Sequence, residues 1–122
     1  MSEQIPIAVV DDDEPFRAAL VEVLDAEGYD VRGFASAEDF LAAKGEMSCR
    51  CVITDIQMPG MSGLDLKRLL AARNSTIPVI MITGLSEPGL AAEAAGLGVA
   101  GLLRKPFAPA ALLACLESAL KG

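Results

Sequence analysis

The sequence predicts an α/β fold in which one parallel sheet carries helices on both faces. Two observations carry that prediction. Short apolar, β-branched runs alternate with longer stretches in which apolar residues recur at helical spacing, five times in all. Four of the five runs also end on, or just before, polar residues able to do chemistry. Strand–helix units in series with right-handed crossovers build a parallel sheet. In such sheets functional groups gather beyond the carboxyl ends of the strands.

The first run, IPIAVV at residues 5–10, reads as a buried strand. From Glu14 to about Gly28, Phe16, Ala19, Leu20, Val23 and Leu24 recur at helical spacing, and Gly28 suits a helix stop. Asp30 to Phe34 is a short second strand. Ser36 is a good N-cap, and Asp39 three residues on can complete a weak capping box before Phe40 and Leu41. Cys51 to Thr54 is the third strand, and Ser62 caps a helix carrying Leu64, Leu66, Leu69 and Leu70. Pro78 to Thr83 is the fourth strand, and a helix follows from about Glu87 to Ala95. Ala100 to Leu103 makes the fifth strand and Pro109 to Leu120 the last helix. No repeat, linker or low-complexity segment interrupts the series.

The length, 122 residues, suits one domain over residues 1–122. An apolar fraction of 52% supports a real core. The net charge of −7 argues against direct nucleic-acid contact, which relies on clustered Lys and Arg. The N-terminus lacks a basic signal-peptide start, and no apolar stretch reaches membrane-span length, so the expected location is the cytoplasm. There is no histidine, which excludes Ser-His and Cys-His catalysis. Cys49 and Cys51, two apart, are expected on one face of a strand, a poor disulfide arrangement. All three cysteines read as reduced, with Cys51 and Cys115 as small core residues.

The strand ends concentrate the chemistry. Asp11, Asp12 and Asp13 follow the first strand, Asp55 follows the third, Thr83-Gly84 the fourth, and Lys105-Pro106 the fifth. Each alone has an ordinary explanation: acids before a helix complement its dipole, and an Asp before a turn forms an Asx-turn. Together they are far more specific. Two carboxylates about 4 Å apart repel by about 4 kcal/mol at an effective dielectric of roughly 20. Three converge only when a cation or protons compensate, and oxygen ligands suit Mg²⁺. An ionised Asp55 there can attack a phosphoryl group, with Lys105 neutralising the transferring oxygens.

The blocks VVDDDEP, VITDIQMPGMSGLDL, PVIMITG and LLRKPF resemble the signature blocks of response regulator receivers, the CheY-like superfamily, and among them the FixJ type. The resemblance covers essentially the whole chain. It implies a flavodoxin-like doubly wound (βα)5 sheet of order 2-1-3-4-5. It implies Asp55 as phosphoacceptor for a sensor histidine kinase, and a bound Mg²⁺ (or Mn²⁺). Asp12 and Asp55 would ligate the metal directly, the Gln57 backbone carbonyl would be a third ligand, and Asp11 would act through water. Thr83 and Lys105 would bind phosphoryl oxygens, Lys105-Pro106 would be cis, and Asp13 would cap the first helix. Gln57 and Leu85 would tune the phosphoryl lifetime. The chain departs from the family at Leu102, where a switch aromatic is usual three residues before the lysine.

Other readings fit less well. A phosphohydrolase would need a second acid two residues after Asp55, where Gln57 stands. A flavodoxin-like nucleotide binder would offer Ser, Thr and Gly to phosphate, not three aspartates. A pseudo-receiver that works without phosphorylation would not need the full set of Asp12, Asp55, Thr83 and Lys105. Two receiver roles remain, a stand-alone docking regulator or the N-terminal receiver of a DNA-binding regulator. For output, the fourth helix, fifth strand and fifth helix are expected to form a protein-docking or homodimer face bearing Leu85, Leu90, Ala91, Leu97, Val99 and Leu103.

Overall fold

A computed structural model describes residues 4–84 and 88–121. Its strands are β1 (Pro6–Val10), β2 (Asp30–Phe34), β3 (Cys51–Asp55), β4 (Val79–Thr83) and β5 (Gly101–Arg104). Its helices are α1 (Glu14–Ala26), α2 (Ala37–Ala42), α3 (Gly45–Ser48), α4 (Gly63–Ala72), α5 (Pro88–Gly96) and α6 (Pro109–Lys121). The strands form one parallel sheet in the order β2-β1-β3-β4-β5, as the resemblance implies.

Strand alternation sorts the apolar side chains into two cores. Ile7, Val9, Ile53, Ile80 and Ile82 face α1 and α6, where they meet Leu20, Leu24, Leu112 and Leu116. Ala8, Val10, Val52, Val79 and Met81 face the opposite layer, against Phe40, Leu66, Leu70 and Ala94. The three central strands are buried on both faces, which is why their sequences run almost continuously apolar. Each fully buried Leu or Ile contributes about 1.5–3 kcal/mol, so the two cores fix the register that brings the strand ends level.

Helix starts follow the expected caps. Asp13 accepts from the Phe16 amide, and Ser36 accepts from the Asp39 amide at 3.0 Å. The full reciprocal box forms at the next cap: Ser62 accepts from the Asp65 amide while the Asp65 carboxylate accepts from the Ser62 amide. Hydrogen bonds to the carboxylate, first from the Ser62 amide and then from the Ser62 side chain, hold the Asp65 carboxyl below the usual range.

The second helical region is broken into α2 and α3, because Lys44 adopts a left-handed φ of 55° and Gly45 packs where a Cβ would strike the Phe40 ring. One expectation needs correction. Cys49 and Cys51 do not share a face. A bend at Arg50 interrupts the alternation, so Cys49 packs in the α2–α5 core and Cys51 in the α1–α6 core. All three thiols are free. Burial pushes Cys51 up to about 12, which keeps it an inert core thiol, and Cys115 is half-buried against the same core. Among the described residues no helix is long and apolar enough to cross a membrane.

Candidate functional site

The hydrogen-bond ladders run just past the strands and set the site residues at one edge. The Asp11 amide donates to the Phe34 carbonyl at 3.0 Å, extending β1 against β2. The Ile56 amide donates to Ile82 at 3.0 Å, and the Lys105 amide to Thr83 at 2.8 Å. Asp11, Asp55, Thr83 and Lys105 therefore emerge side by side from four neighbouring strands. Lys105-Pro106 is cis, as expected.

Asp11, Asp12 and Asp55 each bring a carboxylate oxygen within 4.8 Å of the others. Asp11 is 1% exposed. Its Oδ1 accepts from the Asp13 amide at 2.9 Å, and its Oδ2 is buried without a hydrogen-bond partner. Burial raises the Asp11 carboxyl, and the Asp55 charge adds to the effect. Asp55 is raised mainly by burial too, against the pull of Lys105, whose Nζ lies 3.6 Å from Oδ2. The Gln57 amide donates to Asp55 Oδ1 at 3.3 Å. A half-buried acidic triangle with one orphaned oxygen is the donor set a hard divalent cation takes, so the residues fit Mg²⁺. Asp13 stands outside the triangle and caps α1, as its reading as an extra acid implies.

Thr83 ends β4, 4% exposed. The segment after Asp55 is tied down by residues whose importance the sequence did not reveal. The Met61 amide donates to Glu38 Oε2 on α2 at 3.1 Å. Gly60, at φ +75°, has Glu38 where a side chain would go, and a Cβ on Gly63 would run into the Asp55 carbonyl. Phe16 was legible only as a helix-face residue. Its ring lies 3.9 Å from Lys105 Nζ, and Phe107 meets it edge-on with centroids 6.2 Å apart. An aromatic in the first turn after the acidic triplet was the one available signal.

Leu102 is 37% exposed on the edge strand β5, so it does not occupy an inward switch position. Leu85 lies outside the described residues. The expected docking residues do not form one exposed apolar patch. Leu90, Leu97 and Val99 are half-buried against the α2–α5 core, Leu103 packs toward the α1–α6 core, and Ala91 is half-buried. The outward positions of α5 are small or charged, including Ala92, Glu93 and Ala95, and Glu93 pairs with Arg68 of α4.

A doubly wound sheet with an acidic triangle, a threonine and a lysine at its carboxyl edge defines a class of signalling domain. Comparison with known sequences matches the response regulator receiver domain over residues 7–117. The transcriptional regulatory protein FixJ of Azorhizobium caulinodans is 41% identical over 98% of this chain and 57% of its own length. The crystal structure of FixJ-N superposes with a TM-score of 0.89 at 34% identity, covering 98% of this chain and 96% of that one. Chemotaxis protein CheY4 of Vibrio cholerae gives 0.87 at 28% identity, covering 97% of this chain and all of that one. The chain belongs to the response regulator receiver family. Within it, the chain is a receiver of the FixJ type found in two-component signalling. It spans little more than half the length of that FixJ relative.

Proposed function

We propose that this receiver is switched by phosphorylation of Asp55, with a sensor histidine kinase as donor. The observation that carries the reading is the Asp11–Asp12–Asp55 triangle with Lys105 Nζ 3.6 Å from the Asp55 carboxylate. One carboxylate oxygen of Asp55 attacks phosphorus in line, the bond from phosphorus to the donor histidine nitrogen breaks, and the imidazole leaves with the electron pair. The Lys105 ammonium pairs with one phosphoryl oxygen as charge builds, and the Thr83 hydroxyl donates to another. Asp12, Asp55 and the Gln57 carbonyl would hold Mg²⁺, with Asp11 beside them. When bound, the metal neutralises the acidic cluster and the phosphoryl oxygens. Gln57 and Leu85 set how fast water removes the phosphoryl group.

The protein acts in the cytoplasm as a signalling domain that assists its own phosphorylation and slow dephosphorylation. Its output goes to a downstream protein or to a DNA-binding effector domain; the relatedness to a transcriptional regulator favours the latter. The face of α5, β5 and α6 serves for self-association. Treatment with acetyl phosphate and Mg²⁺ should add one phosphoryl mass to the wild type and none to Asp55→Asn. A variant that gains it at the wild-type rate overturns the assignment.

A further inference from the structure

We propose that Phe16 is a positioning residue for phosphoryl transfer, its ring face holding the Lys105 ammonium beside the Asp55 carboxylate; this rests on the reading of Asp55 as phosphoacceptor. The Lys105 backbone is anchored by its amide bond to Thr83, but its side chain has a flexible four-carbon stem that passes Gly84. The ammonium lies 3.6 Å from Asp55 Oδ2, longer than a normal hydrogen bond, so the carboxylate alone does not fix it. What completes the position is the Phe16 ring, 3.9 Å from Nζ to its centroid, within cation–π range. The ring is itself held. Phe107 meets it at 89°, edge to face. It also lines an apolar groove of about 310 Å³ together with Ala19, Leu20, Val23 and Leu112.

The two attractions on Lys105 differ in kind. The Asp55 charge changes during the reaction, whereas the ring is neutral and stays as it is. The ring therefore keeps the ammonium at the site before phosphate arrives, and the entropy of the long stem is lost in advance of the transition state. Leu102, exposed on β5, offers no aromatic face for this.

The test uses the whole chain and two variants. Phe16→Leu retains apolar bulk without a π-face, and Phe16→Tyr retains the face. With acetyl phosphate and saturating Mg²⁺, Phe16→Leu should be phosphorylated about fivefold more slowly, the size of one partly exposed cation–π contact. Phe16→Tyr should recover most of the rate, and Mg²⁺ affinity followed by NMR titration should be the same in all three. Without any phosphate, the Lys105 ε-methylene protons should be shifted upfield by ring current in wild type and Phe16→Tyr, and lose that shift in Phe16→Leu. A wild-type rate in Phe16→Leu overturns the proposal, as does equal slowing in both variants or a wild-type Lys105 resonance without the shift. That last readout stands even where Phe16→Leu fails to fold. A wild type that takes no phosphoryl group, yet shows the ring-current shift, sinks the phosphoacceptor reading and leaves the ring–ammonium contact in place.

Discussion

Asp11 shows what it costs to bury a carboxylate beside two others. It is buried, one of its oxygens has no partner, and two other carboxylates converge on it. Its carboxyl is raised above the ordinary 3.8 chiefly by burial, and Asp55 is raised for the same main reason. The sign follows from linkage. A raised carboxyl favours the folded state fully below pH 3.8, and that advantage is lost as pH rises through the higher folded value. At neutral pH without metal the acidic pair therefore strains the fold. Asp11→Asn should raise stability at pH 7 by about 1 kcal/mol, because it removes one repelling charge. Urea unfolding should show the gain shrinking toward pH 4, and shrinking at pH 7 on adding Mg²⁺, which compensates the wild-type charge. A gain independent of both would mean that charge repulsion is not the cause. The sequence already exposed this cluster, since all its members follow strands. It hid Phe16, because a contact from the first turn of α1 to the residue after β5 exists only once the sheet has closed.

At the scale of elements, the strands and caps were legible because each rests on short-range chemistry. Apolar runs, Ser36, Ser62 and Asp13 announce themselves within a few residues. The break between α2 and α3 was not legible, since it depends on Phe40 filling the space beside Gly45 and on a lysine taking a positive φ. The bend at Arg50 was hidden likewise, and with it the opposite placement of Cys49 and Cys51. The loop from Ile56 to Ser62 is the element closest to the proposed chemistry, and Glu38 ties it to α2 through the Met61 amide. Hydrogen bonds to charged groups are worth about 1.5–3 kcal/mol when well shielded, and less at this exposed position. Glu38→Ala should leave thermal stability within about 1 kcal/mol of wild type. It should also speed amide exchange at Met61 and weaken Mg²⁺ binding severalfold through looser placement of Gln57, while Glu38→Gln, which keeps an acceptor, should restore both. Unchanged exchange at Met61 in Glu38→Ala would remove Glu38 from the account.

For the whole molecule, the question is how a charge change at the carboxyl edge reaches a partner. Two packed cores either side of one sheet make the domain stiff, so signalling must use its edge rather than its centre. The chain ends of β4 and β5 link the site to that edge: the Lys105 amide is bonded to Thr83, and β5 is the outermost strand on this side. Of the residues read as a docking patch, Leu90, Leu97, Val99 and Leu103 are engaged in the two cores, so Leu90→Glu or Leu97→Glu would perturb packing before it tested any interface. Leu102 is different. At 37% exposure it and Met47 are the only large apolar side chains well exposed among the described residues, and Leu102 sits on the edge strand between α5 and α6. A shift of population from 1:99 to 99:1 takes about 5.5 kcal/mol of differential stabilisation. Leu102→Glu should therefore unfold at nearly the wild-type temperature and accept phosphate at Asp55 at the wild-type rate. Light scattering should show the phosphorylated wild type associating at concentrations where phosphorylated Leu102→Glu stays monomeric, with both monomeric before phosphorylation. If the two phosphorylated proteins associate equally well, the β5 edge is not the surface through which the domain pairs.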